Sequence, residues 1–572
     1  MIKYSIALYF ILSINVGFAQ TINTKTKLDS LCGAKINLDK TGKLLPRYSP
    51  QNSSRSYSQV IKMTSEFVKD KRLIEKETGK DMLYTTCCFQ GPHMKKSWKI
   101  EQGKSIGGTE NANFDAEGWM HNPACVFAGM TQSLALDYFP FTGDVTYVTK
   151  VKEMLDYQLT HGTTPSNFVW ANVPYASSNP FDSLYYGATK WENEGMRGDG
   201  LHGIEPDKIG ELGYAYIKFY EITLDKKYLK AGLDCADGLA KFVKKDVLPG
   251  QNSLEPSTQT NRSPWPFRIN ARTGKTIDEY CSHVVEPIRL FDEILRIGAG
   301  ISLDTGRIRQ YTETSKLALE WLYSRNGPMK TYVWNAYFED IPSDPKQANR
   351  NQVSPMETAR YLINDPGKAN NLEADIPALI YYVKSAFGTE NIDAIKEQSW
   401  CFEPMASHTS RYASVCAMWY SRTNNSWFKE QALRHFNYAT YAVEPSGAAW
   451  VGHTWPGSWW SDGYADYIKH FFDGMAAVPE WAPDNEDHLI KSSSAVQKIS
   501  YNDKSIAYKT FDTYSKAVLR LKRRPKKVIA NGRLLKLTNN LNEEGWLWKE
   551  LTNGSGSVRI NIDNGNEIII EK

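Results

Sequence analysis

Histidine and tyrosine side chains recur in this sequence immediately before, or within the first turn of, predicted helices. Tyr280 and His283 are three residues apart and His408 and Tyr412 are four apart, so each pair is expected on one helical face. Imidazole and phenol groups transfer protons when their surroundings adjust their pKa. The predicted catalytic residues are therefore His202, Tyr280, His283, His408 and Tyr412. In the alternative interpretation, a neighbouring carboxylate simply holds the imidazole of His283.

Arginine and aromatic residues near the same helix starts are suited to an anionic sugar. A guanidinium group binds a carboxylate through two parallel hydrogen bonds, and aromatic rings stack on the C–H faces of sugar rings. The predicted substrate-binding residues are Arg197, Arg268, Arg411, His453, Trp455, Trp460 and Tyr464. In a second interpretation, the Trp residues between 450 and 467 only close one side of a helical ring.

Paired carboxylates indicate a different chemistry, because glycoside hydrolases use two carboxyl groups. Asp199 and Glu339 are the best such pair in the loops between predicted helices. The sequence contains no Gly-rich phosphate loop, no G-x-S-x-G elbow and no H-E-x-x-H helix. The 8 cysteines show no zinc-type spacing, so neither a metal nor a cofactor is predicted.

Repeated helical hairpins must position these residues. In residues 205–243, apolar residues three and four apart lead into a T-x-D turn, a Tyr and a second amphipathic helix. Residues 134–159 and 416–443 repeat the pattern. A hairpin with one apolar stripe needs neighbours to bury that stripe. The expected fold is therefore mainly α, an (α/α) toroid whose central cleft carries the chemistry.

The chain divides into four predicted segments. Residues 1–19 have a positive start, a short apolar run and small residues at the end, which predicts a secretory signal peptide and export to the periplasm. Residues 20–55 form a polar arm, and residues 56–483 form the toroid. After a Pro-containing break, apolar residues alternate between Asn-Gly turns, so residues 488–572 are expected to form a small antiparallel β-sandwich.

Charge and hydropathy argue against two classes of partner. The net charge is only +4 and no basic stripe interleaves with aromatic residues, so nucleic acid is not expected as a partner. After the leader, no stretch approaches the ~20 apolar residues of a membrane span, so no membrane insertion is expected once the leader is removed. Aromatic residues make up 12% of the chain, which favours a carbohydrate ligand. The oligomeric state is left open.

The hairpins with T-x-D-x-x-Y turns, the aromatic loops and the β-rich C-terminal region together resemble exported (α/α)-toroid carbohydrate-active enzymes of Bacteroidetes type. The resemblance spans roughly residues 55–572 and is greatest to ulvan oligosaccharide dehydratases and uronate-specific polysaccharide lyases. The RGDG segment at 197–200 also resembles the R-G-x-G-W element of unsaturated glucuronyl hydrolases, although Leu201 replaces its aromatic residue.

The resemblance implies a lyase that acts on an anionic, uronic-acid-containing oligosaccharide. A base removes the C5 proton, an acid protonates the leaving C4 oxygen, and loss of water from the non-reducing-end residue gives an unsaturated uronate. Two alternatives stay open, a glycoside hydrolase that uses Asp199 and Glu339 and a sugar-binding protein without catalysis. The enzyme interpretations require one shared hollow for His202, His283, His408 and His453.

Overall fold

A computed structural model of the 572-residue chain describes residues 29–70, 88–90, 97–101, 104–109, 120–121, 123–178, 202–248, 263–281, 283–334, 350–398, 404–447, 449, 458–460, 465–540, 542–551 and 554–572.

Long helices in the described residues alternate between an outer and an inner layer. In chain order they are α1 (Ser53–Asp70), α2 (Pro123–Met130, continued by a π-helical Thr131–Tyr138 and an α-helical Phe139–Thr142), α3 (Thr146–His161), α4 (Pro206–Thr223), α5 (Lys226–Lys241), α6 (Val285–Ile297), α7 (Thr305–Tyr323), α8 (Val353–Asn364), α9 (Leu372–Phe387), α10 (Ala406–Thr423), α11 (Ser426–Ala439) and α12 (Ile468–Ala477). Short helical turns occur at Pro328–Thr331, Pro366–Lys368, Thr440–Ala442 and Pro479–Trp481.

The even-numbered helices close into a ring. Each of α2, α4, α6, α8 and α10 contacts the next even-numbered helix, and α12 contacts α2 again. The odd-numbered helices pack outside them, with α1 against α12 and each of the others against the inner helix that precedes it. The apolar stripes predicted from the sequence fill the space between the layers; Ile209, Leu212 and Phe219 of α4 are fully buried. The predicted (α/α) toroid is confirmed.

The T-x-D turns join inner helices to outer helices. After α4, Thr223 Oγ1 donates to a carbonyl of that helix at 2.8 Å and accepts from the Asp225 amide at 3.3 Å. Leu224 lies between them with a left-handed φ of 60°, and Asp225 then caps α5. Equivalent bonds form at Thr142 and Thr423. These turns are short and alike, so the variable connections lie at the other ends of the helices.

Those longer connections run from each outer helix to the next inner helix and carry small sheets. The N-terminal arm has two hairpins, β1 (Ser30–Leu31) with β2 (Ala34–Lys35) and β3 (Asn37–Leu38) with β4 (Leu44–Leu45). The connections contain β5 (Cys88–Gln90), β6 (Ser97–Glu101), β7 (Lys104–Thr109), β8 (Met120–His121), β9 (Ser177–Ser178), β10 (Gly203–Ile204), β11 (Pro266–Asn270), β12 (Thr276–Cys281) and β13 (Ser458–Trp460). Strands from different connections pair, as β13 does with β5 and β10 with β11, so the connections meet at the N-terminal ends of the inner helices.

Two antiparallel sheets form the C-terminal domain, as the alternation predicts. The strands are β14 (His488–Ser492), β15 (Val496–Tyr501), β16 (Ser505–Thr510), β17 (Ser515–Leu521), β18 (Lys527–Ala530), β19 (Arg533–Leu534), β20 (Gly545–Glu550), β21 (Gly556–Ile562) and β22 (Glu567–Glu571). One sheet has the order β14-β17-β21-β20 and the other β15-β16-β22-β18-β19. Val558, Ile560 and Ile562 point into the core from one face of β21. The domain packs on α2, α4 and α12 near their C-terminal ends.

One local expectation is wrong. Tyr280 lies in β12, which pairs with β11, and α6 begins only at Val285. Tyr280 and His283 therefore share no helical face. Pairing with β11 gives residues 276–281 an extended conformation and hydrogen-bond partners for their backbone. Within the described part of the chain, none of the helices has the length and apolar character that crossing a bilayer requires.

Candidate active site

The inner helices turn a polar stripe toward the axis of the toroid. On α4 the stripe comprises Glu211, Tyr214 and Lys218, which lie on one face because they are three and four residues apart. A cavity of about 600 Å³ lies between the stripes and is lined by all six inner helices. Residues of β14 and β17 line its end near the C-termini of the helices. This volume suits a ligand of sugar size.

Buried side chains on α8, α10, α12 and the residues just before α12 form a closed circuit of hydrogen bonds beside the cavity. Glu357 accepts from Arg411 Nε at 2.9 Å and from Arg360 Nε at 3.0 Å. Arg411 also pairs with Asp466, and Arg360 Nη2 donates to His470 Nδ1 at 2.9 Å. His470 Nε2 lies 3.1 Å from Asp466 Oδ1 and completes the circuit. Because all five groups are buried, removing one leaves its neighbours with uncompensated charge.

The circuit fixes the ionisation of its two carboxylates. Burial alone would raise the pKa of Glu357, but Arg360, Lys469 and Arg411 outweigh it and hold this pKa well below its usual range. Burial likewise opposes ionisation of Asp466, and Arg411 with Lys469 overcomes it, so the pKa of Asp466 is also well below its usual range. Both groups are ionised near neutral pH and have no proton to donate.

Glu211 behaves differently from the carboxylates of the circuit. Burial raises the pKa of its carboxyl to about 7, with Lys208 opposing this shift and the charge of Glu286 adding to it. A Cβ on Gly210 would lie 2.4 Å from the backbone nitrogen of Pro287, so this glycine permits the close approach of α4 and α6. No hydrogen bond or ion pair from the described residues reaches the Glu211 carboxyl, which lines the cavity. Such a group can give or take a proton near neutral pH.

His283 lies just before α6 and is 7% exposed. Its Nε2 has no hydrogen-bond partner among the described residues and lies 3.7 Å from Glu286 Oε1. Burial lowers the pKa of the imidazole, although nearby carboxylates oppose the shift. The ring is therefore neutral near neutral pH. Glu286 and Lys208 act electrostatically on both His283 and Glu211, so the two groups flank the same pair of side chains.

His408, in the first turn of α10, is held in one tautomer. Arg411 Nη1 donates to its Nδ1 at 2.8 Å, and a guanidinium group can only donate, so the proton of the neutral ring is on Nε2. Burial, with the Arg411 charge adding to it, lowers the pKa of His408 to about 3. The geometry favours a hydrogen-bonding role for His408 over the predicted proton transfer.

The side chain of Tyr412 does not point toward the axis of the toroid. Consecutive helical residues point in different directions, and Arg411 takes the inward one. The Tyr412 ring is fully buried against His435 of α11, with ring centroids 4.6 Å apart. Burial raises the pKa of this phenol well above its usual range. The expectation that one helical face presents His408, Arg411 and Tyr412 together is therefore wrong.

Arg268 and His202 lie in the connections before α4 and α6, in surroundings unlike those expected. Arg268 is fully buried, and its Nε donates to Glu205 at 2.7 Å, which links β11 to the start of α4. This favours a structural ion pair over the predicted substrate contact. His202 has a left-handed φ of 60° and packs edge-on against Phe168, with ring centroids 5.0 Å apart. Burial, with the Arg272 charge, lowers its pKa. None of the described contacts of His202 is with the circuit.

The remaining predicted residues lie outside the described part of the chain. They are Arg197, Asp199, Glu339, His453, Trp455 and Tyr464, together with the side chains of Tyr280 and Trp460. Of the four histidines expected around one hollow, His283 lies before α6 and His408 in the first turn of α10, and α8 contacts both of these inner helices. Both histidines have circuit residues as electrostatic neighbours.

Ser414, His470 and Asp466 have the composition of a nucleophilic triad but not its accessibility. Ser414 Oγ lies 3.3 Å from His470 Nδ1, and His470 Nε2 lies 3.1 Å from Asp466. The hydroxyl, however, donates to the Arg411 carbonyl at 2.7 Å and accepts from Arg360 at 2.8 Å. Ser414 and His470 are completely buried. A nucleophile needs a free hydroxyl that substrate can reach, so this trio stabilises the ring.

Sequence inspection did not identify Glu211 or Lys469 as site residues. The available signal was the polar stripe on each inner helix, opposite the apolar stripe. On a single helix such a stripe is typical of a solvent-exposed face. Only closure of the ring turns it into the wall of a cavity. In the described residues, no group of three or more His, Cys, Asp or Glu side chains has the geometry of a metal site.

No protein-family model matches the chain, and no curated protein matches its sequence. Among solved structures, the fold is similar to a cellobiose 2-epimerase from Bacillus thermoamylovorans, with 9% identity, 73% of this chain and 98% of that chain covered, and a TM-score of 0.46. A D-mannose isomerase gives 11% identity, coverage of 73% and 97%, and a TM-score of 0.47. An unsaturated glucuronyl hydrolase specific for heparin has 10% identity, with 74% of this chain and 96% of that chain covered, and a TM-score of 0.40. At these values the similarity concerns the toroid alone and does not assign a reaction.

Proposed function

We propose that this protein is a carbohydrate-active enzyme that breaks a C–O bond in a uronic-acid oligosaccharide by β-elimination, with loss of water from the non-reducing-end residue as the favoured reaction. The observation that carries the proposal is the placement of the Glu211 carboxyl and the neutral His283 imidazole around the same side chains of the inner ring. Neither that carboxyl nor His283 Nε2 has a hydrogen-bond partner among the described residues. Elimination requires one proton acceptor and one proton donor near neutral pH.

The two groups divide the reaction between them. His283 Nε2 accepts the C5 proton, and the electron pair of the C5–H bond becomes the C4=C5 double bond. The C4–O bond breaks with its electrons on oxygen, and Glu211 supplies the proton with which that oxygen leaves. The product is water for a dehydratase, or a shorter sugar for a lyase. Exchange of one proton with solvent restores neutral His283 and protonated Glu211.

Positive charge in the cavity supports an anionic substrate. Arg289 lines the cavity while its Nη1 holds both oxygens of Glu286, at 3.2 and 2.9 Å. Lys469 also lines the cavity and pairs with Asp466 at 2.9 Å. Removal of the C5 proton places negative charge on the carboxylate, and fixed cations stabilise that charge in a site with little water. A neutral sugar would not use this field.

Hydrolysis of a glycosidic bond is a second candidate because of the pKa of Glu211. A glycosidase needs a protonated carboxyl as acid and an ionised one as base or nucleophile. Burial gives Glu211 the first property, and the arginines give Glu357 and Asp466 the second. Glu357 is, however, bound by Arg360 and Arg411, and Asp466 by Arg411 and Lys469. These bonds disfavour either carboxylate as a base for water or as a nucleophile toward a sugar carbon.

Isotopic labels separate these reactions. Purified full-length protein is incubated with a panel of uronic-acid oligosaccharides that carry deuterium at C5 of the terminal uronate, in water enriched in heavy oxygen. Elimination is expected to release the deuterium, to add no heavy oxygen, and to create absorbance from a conjugated double bond. Mass spectrometry of the intact oligosaccharide then distinguishes loss of one water from chain cleavage.

Each outcome has a definite meaning for the proposal. Retention of deuterium together with incorporation of heavy oxygen identifies hydrolysis and contradicts β-elimination. Binding without a change in mass contradicts both enzyme functions and supports a sugar-binding protein. Loss of deuterium without loss of a C–O bond would show that the C5 proton exchanges but that Glu211 is not a proton donor to a leaving group.

A further inference from the structure

A single guanidinium nitrogen orients two neutral side chains at the N-terminal ends of α8 and α10. Arg411 Nη1 donates to His408 Nδ1 at 2.8 Å and to Gln352 Oε1 at 3.4 Å. The remaining nitrogens of Arg411 hold Glu357 at 2.9 Å and Asp466. Arg411 is therefore fully engaged within the protein, and the predicted direct contact with a substrate carboxylate would require this arrangement to break.

The same bonds leave two N–H donors pointing away from Arg411. With Nδ1 of His408 accepting, the proton of the neutral ring is on Nε2, and the Glu397 carboxylate lies 4.0 Å from Nε2, beyond hydrogen-bond distance. With Oε1 of Gln352 accepting, its amide nitrogen Nε2 faces the other way. That nitrogen is fully buried and has no hydrogen-bond partner among the described residues. A buried donor without a partner has lost its hydrogen bonds to water, and a bound acceptor would replace them.

We infer that Gln352 Nε2 and His408 Nε2 together bind the carboxylate of the substrate, and that Arg411 is a positioning residue that orients both donors. Two N–H groups match a ligand that only accepts hydrogen bonds, and a carboxylate is such a group whereas an alcohol also has a proton to place. Arg411 is hydrogen-bonded to the opposite side of both groups, and its positive charge polarises the two N–H donors toward an anion. This inference rests on the proposed function, because it takes the uronate as the ligand.

The ligand test uses binding and requires no turnover. The probes are D-glucuronate and its neutral amide, D-glucuronamide, titrated calorimetrically into the full-length protein. Gln352→Glu keeps an acceptor for Arg411 but replaces the donor with a negatively charged acceptor. It is expected to weaken glucuronate binding at least tenfold more than glucuronamide binding. The matched control is Gln431→Glu, since Gln431 is also buried and its Oε1 accepts from Lys384 at 2.5 Å, but it lies on the outer helix α11.

Two results would overturn the inference. One is an equal change in the affinities for the acid and the amide in Gln352→Glu, and the other is a wild-type protein that does not bind glucuronate. The outcomes of this test and of the labelling test are independent. Acid-selective binding without turnover would support the carboxylate site and contradict the elimination reaction. Elimination turnover, together with equal losses of affinity for the acid and the amide, would support the reaction and contradict the carboxylate site.

A measurement on the wild-type protein covers the case in which a Gln352 variant does not fold. Histidine labelled with heavy nitrogen reports the tautomer of each ring, and a His408→Gln sample assigns the signal of His408. The expected spectrum shows His408 neutral from neutral pH down to about pH 4, with its proton on Nε2, and a shift of the Nε2–H signal on addition of glucuronate. A proton on Nδ1, or no response to glucuronate, contradicts the assignment.

Discussion

The two ends of the inner ring differ in whether the described polar side chains have ion-pair or hydrogen-bond partners. At the C-terminal ends of the helices, which we term the rear, Lys218 lies 2.9 Å from Glu293, and Lys491 of β14 lies 2.9 Å from both Asp137 and Asp473. At the N-terminal ends, the front, the described residues leave Glu211 and the Nε2 atoms of His283 and Gln352 without hydrogen bonds.

The difference shows how a toroid separates stability from chemistry. At the rear, Lys218 pairs with Glu293 of the next inner helix, and Lys491 of the β domain is the shared cation of Asp137 and Asp473. At the front, none of the described residues forms a hydrogen bond with these three groups, so a ligand that bound them would satisfy buried polar atoms. Substitutions at the rear should therefore change stability, and substitutions at the front should change activity.

The largest expected effect is on the activity of Glu211→Gln, which removes the proton donor at the front. We expect kcat/KM to fall by ~100-fold or more, the usual contribution of general acid catalysis. Glu293→Gln is the matched control, since Glu293 lines the same cavity from the rear and pairs with Lys218 and Arg296. It should retain activity within a few-fold. Equal losses in both variants, measured by product formation per folded molecule, would remove the distinction between the two ends.

The second effect is on stability, at the rear. Lys491→Met leaves Asp137 and Asp473 without their shared cation, and loss of one partner of a buried pair costs about 3 kcal/mol. The free energy of unfolding, from denaturant titration, should fall by roughly this amount. Turnover per folded molecule should stay unchanged at low temperature. A stability within about 0.5 kcal/mol of wild type would show that the rear pairs contribute little.

The third effect is a pH dependence of stability that Glu211 imposes. Its folded pKa of about 7 lies above the ordinary value of 4.5, so the folded chain holds a proton that the unfolded chain has released. This contribution is fully present below about pH 4.5 and is lost as pH rises through about 7, by on the order of 3 kcal/mol. Glu211→Gln should remove the loss, so the variant should gain on wild type between these pH values. Parallel stability curves for the two proteins would contradict the raised pKa.

The smallest effect concerns one repeated turn. Leu224 is 54% exposed and has a left-handed φ of 60°, whereas the equivalent residues of the other two turns are Gly143 and Asn424. A side chain with a Cβ and no local hydrogen bond is disfavoured in this region. Leu224→Asn should stabilise the protein by about 0.5–1 kcal/mol without altering activity. Thermal unfolding provides the measurement, and a decrease in stability would show that Leu224 has a packing role in this turn.

Local sequence signals predict the fold better than the site. The T-x-D turns and the stripes of apolar residues in α4 and α10 depend on neighbours in the chain, so they are visible in the sequence. The positions of His283 and His408 at the starts of inner helices were also accessible from their spacing. The role of Glu211 could not be predicted from the sequence, because the polar face of one helix becomes the wall of a cavity only when five other helices surround it.

Two expectations about single residues differ from the structure for separate reasons. From the sequence, Arg268 is expected to bind an anion because it is a cation in a polar connection. In the structure its partner is Glu205, which the pairing of β10 with β11 brings to it. The expectation that Tyr280 lies in a helix is wrong because helical and strand spacings are hard to distinguish over six residues. Pairing with β11 makes this segment a strand. The first outcome depends on a contact between separate connections, whereas the second depends on a hairpin within one connection, since β11 and β12 both lie between α5 and α6.

The position of Lys491 has a consequence for the order of events during synthesis. Its two partners, Asp137 and Asp473, belong to the first and the last inner helix, which meet where the ring closes. A nascent chain can therefore present every helix of the toroid before the side chain that fastens its ends together has been translated. Until β14 emerges, Asp137 and Asp473 lack this shared cation, so the contact between the first and the last inner helix gains one of its links only with the final domain.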